Sequence, residues 1–534
     1  MNRKAAVFLR QAALAMFIAA LVVLAVCAVA LTAEIELSNN VFSQHITVAR
    51  EGMISGAALS LCVLAAFLAV HGWMERFGGI KLSAGLCALW LASACFWIMV
   101  MQILQRADAR TVMEAAKQFA ADNFSALSPE TYHIFTYSTG DYFQSYTYQL
   151  RLCFPLEMLA RLFPKADLNL LAQCVNAALG VAGAGVLAAL AQEILGERRA
   201  ASAALLLYTL SIPAFTFTTL VYSINLMILF CGIAVLCFAR YVHTGMLKFG
   251  IGYAVFTGMA MVVKSNAVII AAALTICALL HALQHKDFKP ALLAIGAVLL
   301  GEGLTMALTA RYAAAGNVTF RPNVSMLSRL AMGMQDSMIA PGWYNGYIEQ
   351  VVIEKLSPDQ EKVRALADIQ ARFQWMRENP GAAIHFYIQK YLTQWIEPAY
   401  EGLWIDSVSE TMGRWNGLIH VICRDDTAIH AALLVYMNAM QSVVYGLAAV
   451  GSLFIWKKKD DMAAAVIPVA ILGGMLYHLI FEAKSQYAYP YMVYMLPLAA
   501  IGLCRLEEGI KGLWKTKERR RRGRAPRIFC GRLR

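Results

Sequence analysis

The sequence predicts an all-α polytopic membrane protein with about 12 transmembrane helices. Apolar residues make up 59% of its 534 residues, charged residues make up only 15%, and the mean hydropathy is +0.55. Soluble domains of this length are far more polar. The apolar runs are continuous rather than alternating. Because a helix needs roughly 20 apolar residues to cross the hydrocarbon core, while barrel strands alternate, these runs favour helices and exclude a barrel.

The charges between the apolar runs predict the topology. Basic residues concentrate in the breaks on one side of the membrane and in the tail Lys515–Arg534, as cytoplasmic segments require. Both termini are therefore predicted to be cytoplasmic, in a cell (plasma or inner) membrane. The net charge of +12 is interpreted as a topology signal that touches anionic lipid, with no nucleic-acid partner. The predicted spans are residues 8–32, 53–71, 82–104, 169–193, 200–212, 220–239, 250–263, 265–283, 290–311, 431–456, 462–480 and 488–505.

Two polar stretches interrupt the spans on the outer side. The first is the loop 105–168, in which the amphipathic segment Tyr146–Phe163 is predicted to lie in the interface, with a transmembrane crossing as the alternative. The second, 312–430, is predicted to be a helical extracytoplasmic domain, in which Ser357–Asn379 has the cap and stop signals of one helix. The predicted divisions are an N-terminal transmembrane bundle (1–311), the outer domain (312–430), C-terminal transmembrane helices (431–505) and a basic cytoplasmic tail (506–534).

Ionisable residues at the predicted outer ends of the spans are the candidates for chemistry, because charges at membrane depth are costly and tend to be functional. Asp108 follows the third span, between Arg106 and Arg110, where water and lipid headgroups solvate a carboxylate. The other candidates are Asp141, Lys264, Arg311, Glu482 and Lys484. The alternative is that each side chain only snorkels to the interface. That alternative is favoured for Arg110 and Arg311 and is balanced against function for Lys264.

Several common catalytic signatures are missing from the sequence. It contains no phosphate-binding glycine loop, no Cys or His cluster with zinc spacing, and no Gly-x-Ser-x-Gly elbow. Nucleotide-driven transport and hydrolysis are therefore not indicated.

An ordered set of motifs extends over most of the chain. It includes Arg106-Ala-Asp108-Ala-Arg110 in the first outer loop, the lysine turn GMAMVVKSNA at Gly258–Ala267, and a Glu-x-Lys-x-x-Tyr-x-x-Pro element from Glu482 to Pro490. In this order of features the chain resembles the GT-C glycosyltransferases, in particular their protein-mannosyltransferase-like and aminoarabinose-transferase-like branch. The resemblance implies a GT-C-like fold and a polyprenyl-phosphate-linked sugar as the donor.

The resemblance also implies roles for the candidates. Asp108 would be the general base that takes the proton of an acceptor hydroxyl, with inversion at the anomeric carbon. The leaving group would be a lipid phosphate, whose growing charge calls for cations. The residues predicted to bind that phosphate are Lys264, Lys484 and Arg106. Those predicted to hold sugar or acceptor hydroxyls are Asp141, Glu482 and Tyr487. The aromatic residues predicted to stack on a sugar or to dock at the interface are Trp343, Tyr344, Trp395 and Trp404.

The partners and the rival functions stay open at this point. The acceptor is a glycan, a lipid or a protein; no cofactor or metal site is predicted, and a divalent metal requirement is left open. The main alternative function is a lipid-linked glycan flippase or another membrane transporter, for which Glu302 within the ninth span would be the relevant charge. A structural or assembly protein, in which Asp108 only sets the topology, is the second alternative.

Overall fold

The computed structural model describes residues 3–37, 44–50, 52–77, 79–128, 133–134, 137–320, 323–403, 416–423 and 427–523, and these are mainly helical. The helices are α1 (Arg3–Ala30), α2 (Met53–Phe77), α3 (Gly79–Met101), α4 (Ala107–Ala120), α5 (Thr139–Ser145), α6 (Leu150–Leu162), α7 (Leu168–Leu195), α8 (Arg199–Thr209), α9 (Ile212–Thr216), α10 (Ile224–Thr244), α11 (Leu247–Val263), α12 (Ala267–His285), α13 (Lys289–Gly316), α14 (Met326–Gly333), α15 (Tyr347–Ile353), α16 (Pro358–Glu378), α17 (Pro380–Trp395), α18 (Asn416–Cys423), α19 (Ala428–Lys457), α20 (Val466–Ile480) and α21 (Ser485–Gly523). Two antiparallel hairpins pair β1 (Leu31–Leu37) with β2 (Gln44–Arg50) and β3 (His133–Ile134) with β4 (Tyr137–Ser138).

The predicted fold class, an all-α polytopic membrane protein, is confirmed. Among the residues that the structure describes, 10 helices are long and apolar enough to cross a membrane. They are α1, α2, α3, α7, α10, α12, α13, α19, α20 and α21. Each coincides with one of the predicted spans, because the length and the apolar character of a run determine both the predicted span and the helix that forms.

The two other predicted spans form shorter helices. The 250–263 span is α11, which has 17 residues. The 200–212 span is mainly α8, which ends at Thr209, and a new helix, α9, begins at Ile212 with Pro213 in its first turn. Proline has no N–H to donate to the preceding turn and is well suited to the first turn of a helix, so Pro213 favours a new helix here.

The two pieces α8 and α9 nevertheless extend from one end of the bundle to the other. At the start of α8, the carbonyl oxygen of Arg199 accepts a hydrogen bond from His71 Nε2 near the end of α2 (3.0 Å). Beyond α9, the carbonyl oxygen of Thr219 accepts one from Gln105 Nε2, just after the end of α3 (2.8 Å). Since α3 begins close to the end of α2, His71 and Gln105 mark opposite ends of the bundle, and residues 199–219 cross it in two pieces.

Glycine permits a close contact between the helices α19 and α21. A Cβ atom on Gly451 would collide with the carbonyl oxygen of Leu498, and one on Gly502 would collide with that of Leu447. Small residues at such crossings let helix backbones approach closely in membrane proteins. The contact fixes α21 in the core, where most of its apolar residues are fully buried.

The amphipathic segment Tyr146–Phe163 does not cross the bundle. Its helix α6 has only 13 residues, fewer than a crossing needs, and it packs on α4 and α13. Its position agrees with the predicted interfacial helix and not with the alternative of a span.

The segment between α13 and α19 contains the predicted helix of the outer domain. α16 begins after Ser357, whose side chain forms a capping box with Gln360, and its C-cap is Asn379, as the sequence predicts. The hairpin of β1 and β2 was not predicted. It packs on this segment, because the backbone N–H of Ile46 donates to the carbonyl oxygen of Ile339 (2.9 Å).

Candidate active site

Asp108 lies in the first turn of α4, at the end of the bundle where α3 ends. α4 is amphipathic, and its apolar side chains, including Val112, Ala116 and Phe119, are buried in a cluster shared with α6. The carboxylate of Asp108 is exposed, and its negative charge complements the positive end of the helix dipole. The predicted base is thus held on a helix whose position is fixed by packing.

Tyr222, just before α10, connects Asp108 to a lysine. Its hydroxyl donates a hydrogen bond to Asp108 Oδ2 (2.9 Å) and accepts one from Gln149 Nε2 (2.5 Å). The Nζ atom of Lys264 lies 4.1 Å from the centroid of the Tyr222 ring and 3.4 Å from the Tyr222 carbonyl oxygen. One residue therefore contacts both the predicted base and a predicted phosphate ligand.

Lys264 follows the last residue of α11. The negative charge of Asp108 only partly offsets the cost of burying its ammonium group. Burial lowers the pKa of Lys264 to about 7, while the charge of Asp108 opposes this shift and that of Lys484 adds to it. An anion bound beside Lys264 would favour the protonated form. Its charge therefore depends on what occupies the site.

Lys484 is a more permanent cation at the same site. Its Nζ atom forms an ion pair with Glu401 Oε2 at 3.3 Å. Burial by itself lowers the pKa of Lys484, but the charges of Glu401, Glu482 and Asp108 together raise it above its ordinary value. We refer to Asp108, Tyr222, Lys264 and Lys484 as the Asp108 cluster.

The connector between α20 and α21, which carries Lys484, is fixed by backbone contacts. The backbone N–H of Ala483 donates to the carbonyl oxygen of Gly342 (2.9 Å), and Gly342 has a φ of +72°, which favours glycine. Beside it, Nζ of the fully buried Lys390 donates to the carbonyl oxygens of Gly333 (2.5 Å) and Ile480 (3.5 Å). Burial lowers the pKa of Lys390 to about 7, and the nearby charge of Glu482 opposes that shift.

Glu482 and Tyr487 lie next to the Asp108 cluster. The hydroxyl of Tyr487 is 3.4 Å from Glu482 Oε2. Burial raises the pKa of Glu482, although the positive charges of Lys484 and Arg329 act against this. Arg329, on α14, lies over the ring of Tyr148 with 5.5 Å between its Cζ atom and the ring centroid. The site therefore includes a third cation that the sequence analysis did not identify.

The structure brings together most of the predicted site residues, but not all of them. Asp108, Lys264, Lys484, Glu482 and Tyr487 meet at one end of the bundle. Arg106 is the N-cap residue of α4, and its role in phosphate binding stays a prediction. The side chain of Asp141 lies outside the described residues.

The aromatic predictions need correction. Trp343 and Trp395 are each 1% exposed, and Trp343 Nε1 donates to Thr393 Oγ1 (3.1 Å), so both rings belong to the core and cannot stack on a sugar. Tyr344 is partly buried. Trp404 lies outside the described residues.

Arg110 and Arg311 both have acidic partners in the structure. Arg110 pairs with Glu114 one turn along α4 (2.8 Å). Arg311 makes two hydrogen bonds to the fully buried Glu157, which also accepts from Tyr312 (2.7 Å) and Arg161 (3.1 Å). This Glu157 network joins α6 to α13.

Glu157→Gln is expected to destabilise the fold. The amide loses the negative charge that three donors share, and hydrogen bonds to charged groups contribute about 1.5–3 kcal/mol each. We expect a lower thermal unfolding temperature of the detergent-purified protein. Glu114→Gln, which removes only an exposed ion pair, should change the temperature little. Equal unfolding temperatures for the two variants would contradict the prediction.

Part of the chain matches a known protein family. Residues 156–301 match the model of the family described as dolichyl-phosphate-mannose-protein mannosyltransferase. The resemblance to the GT-C glycosyltransferases is confirmed. The matched segment extends from α6 into α13 and includes Lys264, and it supports a membrane glycosyltransferase of the GT-C type. No curated protein matches the chain.

Proposed function

We propose that this GT-C-type glycosyltransferase moves a sugar from a polyprenyl-phosphate donor to an acceptor hydroxyl, with Asp108 as the general base. The observation that supports this most directly is the contact of Tyr222 with both the Asp108 carboxylate and the Lys264 ammonium group. A base and a phosphate ligand are thereby held in one cluster, as an in-line displacement at the anomeric carbon requires.

The reaction is a single displacement. The acceptor oxygen forms a bond to the anomeric carbon while its proton passes to Asp108. The bond from that carbon to the phosphate oxygen breaks, its electron pair stays on the phosphate, and the configuration inverts. Lys264 and Lys484 would stabilise the phosphate charge as it grows, which is the largest single contribution in many enzymes.

The charges of the site suit this exchange. The donor is a phosphodiester with one negative charge, and the product is a lipid monophosphate with up to two. Since Asp108 becomes neutral when it takes the acceptor's proton, the site loses one negative charge as the phosphate gains one. The two lysines therefore face a nearly constant total charge through the reaction.

A lipid-linked donor fits the placement of the cations. Lys264 lies between α11 and α12, and Lys484 immediately precedes α21, so both stand where helices enter the hydrocarbon. A phosphate held there would leave its isoprenoid chain beside apolar helices. The proposed face is the non-cytoplasmic one, which follows from the basic residues at the opposite end of the bundle.

The transporter alternative receives no comparable support. Glu302, the charge that a transporter would use, lies within electrostatic reach of Arg151 on α6. Arg151 in turn donates to the carbonyl oxygen of Met261 near the end of α11 (3.2 Å). The charge of Glu302 is thus accounted for by a cationic neighbour on the short helix α6, and it does not by itself indicate a transport site.

The proposal is tested by supplying the purified protein in proteoliposomes with polyprenyl-phosphate donors carrying different labelled sugars. We expect label to pass to an acceptor in the presence of at least one donor, and mass spectrometry of the product identifies that acceptor. Movement of intact donor across the bilayer without transfer of label would instead favour the flippase.

Donor affinity is expected to fall above neutral pH. With its pKa lowered to about 7, Lys264 of the free enzyme loses its charge as the pH rises, whereas a phosphodiester stays anionic. The donor KM should therefore rise about tenfold per pH unit from about pH 7.5 to about pH 9. In Lys264→Arg, where the guanidinium stays charged, the KM should be nearly constant over that range. Parallel pH profiles would show that Lys264 does not bind the donor.

A further inference from the structure

The loop after α17 has an unusual backbone conformation next to Lys484. Tyr400 and Glu401 have φ values of +52° and +63°, a left-handed conformation that side-chain-bearing residues rarely adopt and that costs about 1–3 kcal/mol per residue. The carboxylate of Glu397 holds the turn, because it accepts hydrogen bonds from the backbone N–H groups of Ala399 (2.8 Å) and Glu401 (2.6 Å). The loop is fixed in a strained shape.

This shape directs a buried carboxylate at the ammonium group of Lys484. The side chain of Glu401 is 0% exposed, whereas that of Lys484 is 28% exposed. Ser485 completes the contact, because its hydroxyl donates to Glu397 Oε2 (2.7 Å) and lies 3.5 Å from Glu401 Oε1. The ammonium group of Lys484 is therefore paired with Glu401 inside the protein, while part of the side chain remains accessible at the Asp108 cluster.

A bound phosphate and Glu401 would compete for the same charge. If Lys484 moved away to bind an anion, the buried carboxylate of Glu401 would be left unpaired, which is costly. The ion pair between Glu401 and Lys484 should therefore persist when an anion binds. The attraction between Lys484 and the anion is then smaller than a free ammonium group would provide. Glu401 weakens the attraction of Lys484 for the product more than for the donor, since a lipid monophosphate carries more negative charge than the donor.

We infer that Glu401 is a positioning residue that limits the affinity of Lys484 for phosphate and so allows the polyprenyl phosphate product to leave. This inference rests on the proposed function, because it takes Lys484 as a ligand of the donor phosphate. Its role is distinct from that of Asp108, since the buried Glu401 would act through its ion pair with Lys484 and not on the reacting atoms.

The test compares wild type with Glu401→Gln. With one negative charge fewer beside Lys484, the variant should bind undecaprenyl phosphate about tenfold more tightly, and its donor KM should fall. Its kcat should fall as well, because product release slows. A merely structural role would raise KM or leave it unchanged, so the direction of the change in KM distinguishes the two.

Two further variants make the result interpretable. Glu507→Gln removes another buried carboxylate, which pairs with His71 at the opposite end of the bundle from the Asp108 cluster, and it should leave the affinity for undecaprenyl phosphate unchanged. In Lys484→Met, the addition of Glu401→Gln should no longer tighten binding, because the residue through which Glu401 acts is gone. If Glu401→Gln does not fold, Glu401→Asp keeps the charge but shortens the side chain, and it should bind undecaprenyl phosphate more tightly than wild type.

The outcomes separate this inference from the proposed function. If wild type does not bind undecaprenyl phosphate, the proposed donor class is wrong. If wild type binds it and neither Glu401 variant binds it more tightly, the donor class stands and the role given to Glu401 is wrong.

Discussion

Asp108→Asn is expected to lower the rate of sugar transfer about 10²–10⁴-fold without reducing the amount of folded protein. The amide keeps the size of the carboxylate and can still accept the hydrogen bond from Tyr222, but it cannot take the proton of the acceptor hydroxyl. Because Asp108 is exposed, its replacement removes little packing. The measurement is the initial rate of labelled-sugar transfer by the purified variant in proteoliposomes.

The control for this variant is six residues further along the same helix. Glu114→Gln also neutralises an exposed carboxylate of α4, the one that pairs with Arg110, and it should transfer sugar at the wild-type rate. Full activity in Asp108→Asn would rule out the assigned base, whatever the behaviour of Glu114→Gln.

Lys264→Met is expected to reduce kcat/KM for the donor about 10²–10³-fold. Loss of a single preorganised group that stabilises transition-state charge typically has an effect of this size. Methionine has a similar length and suits the partly buried position, so the fold should tolerate it. The measurement is kcat/KM at saturating acceptor, together with direct binding of undecaprenyl phosphate.

α11 itself provides the matched control for this second variant. Lys248 lies at the opposite end of the helix from Lys264 and is exposed. Lys248→Met should leave both quantities unchanged. An equal loss in the two variants would mean that removal of any lysine from α11 impairs the protein, and the specific role of Lys264 would be wrong.

Hydropathy was sufficient to predict the fold class and most of the crossings. A continuous apolar run of sufficient length has few alternatives to a membrane helix, so 10 predicted spans coincide with long apolar helices. Local signals also worked where they were strong, as for the capping box at Ser357. The short helix α9 was not predicted, because the predicted spans end at residue 212 and resume at residue 220.

The candidate site was predicted only in part, for a physical reason. Asp108, Lys264 and Lys484 could be found because each is a charge at the end of an apolar run. Tyr222 could not, because it is one of 22 tyrosines and its position carries no pattern. Glu401 was missed because its importance depends on an unusual backbone turn and on a lysine distant in the chain. Trp343 and Trp395 were misjudged because an aromatic residue in a polar segment gives no sign of its burial.

The positions of Asp108, Tyr222, Lys264 and Lys484 along the chain have a consequence for biosynthesis. The ribosome makes the carboxylate early, and the last lysine emerges only after most of the protein has been inserted. Chains that stall or insert in the wrong register before that moment cannot assemble all of the reacting groups. Under the proposed function, an immature chain is therefore inactive, because it lacks the last of the two lysines that would bind the donor phosphate.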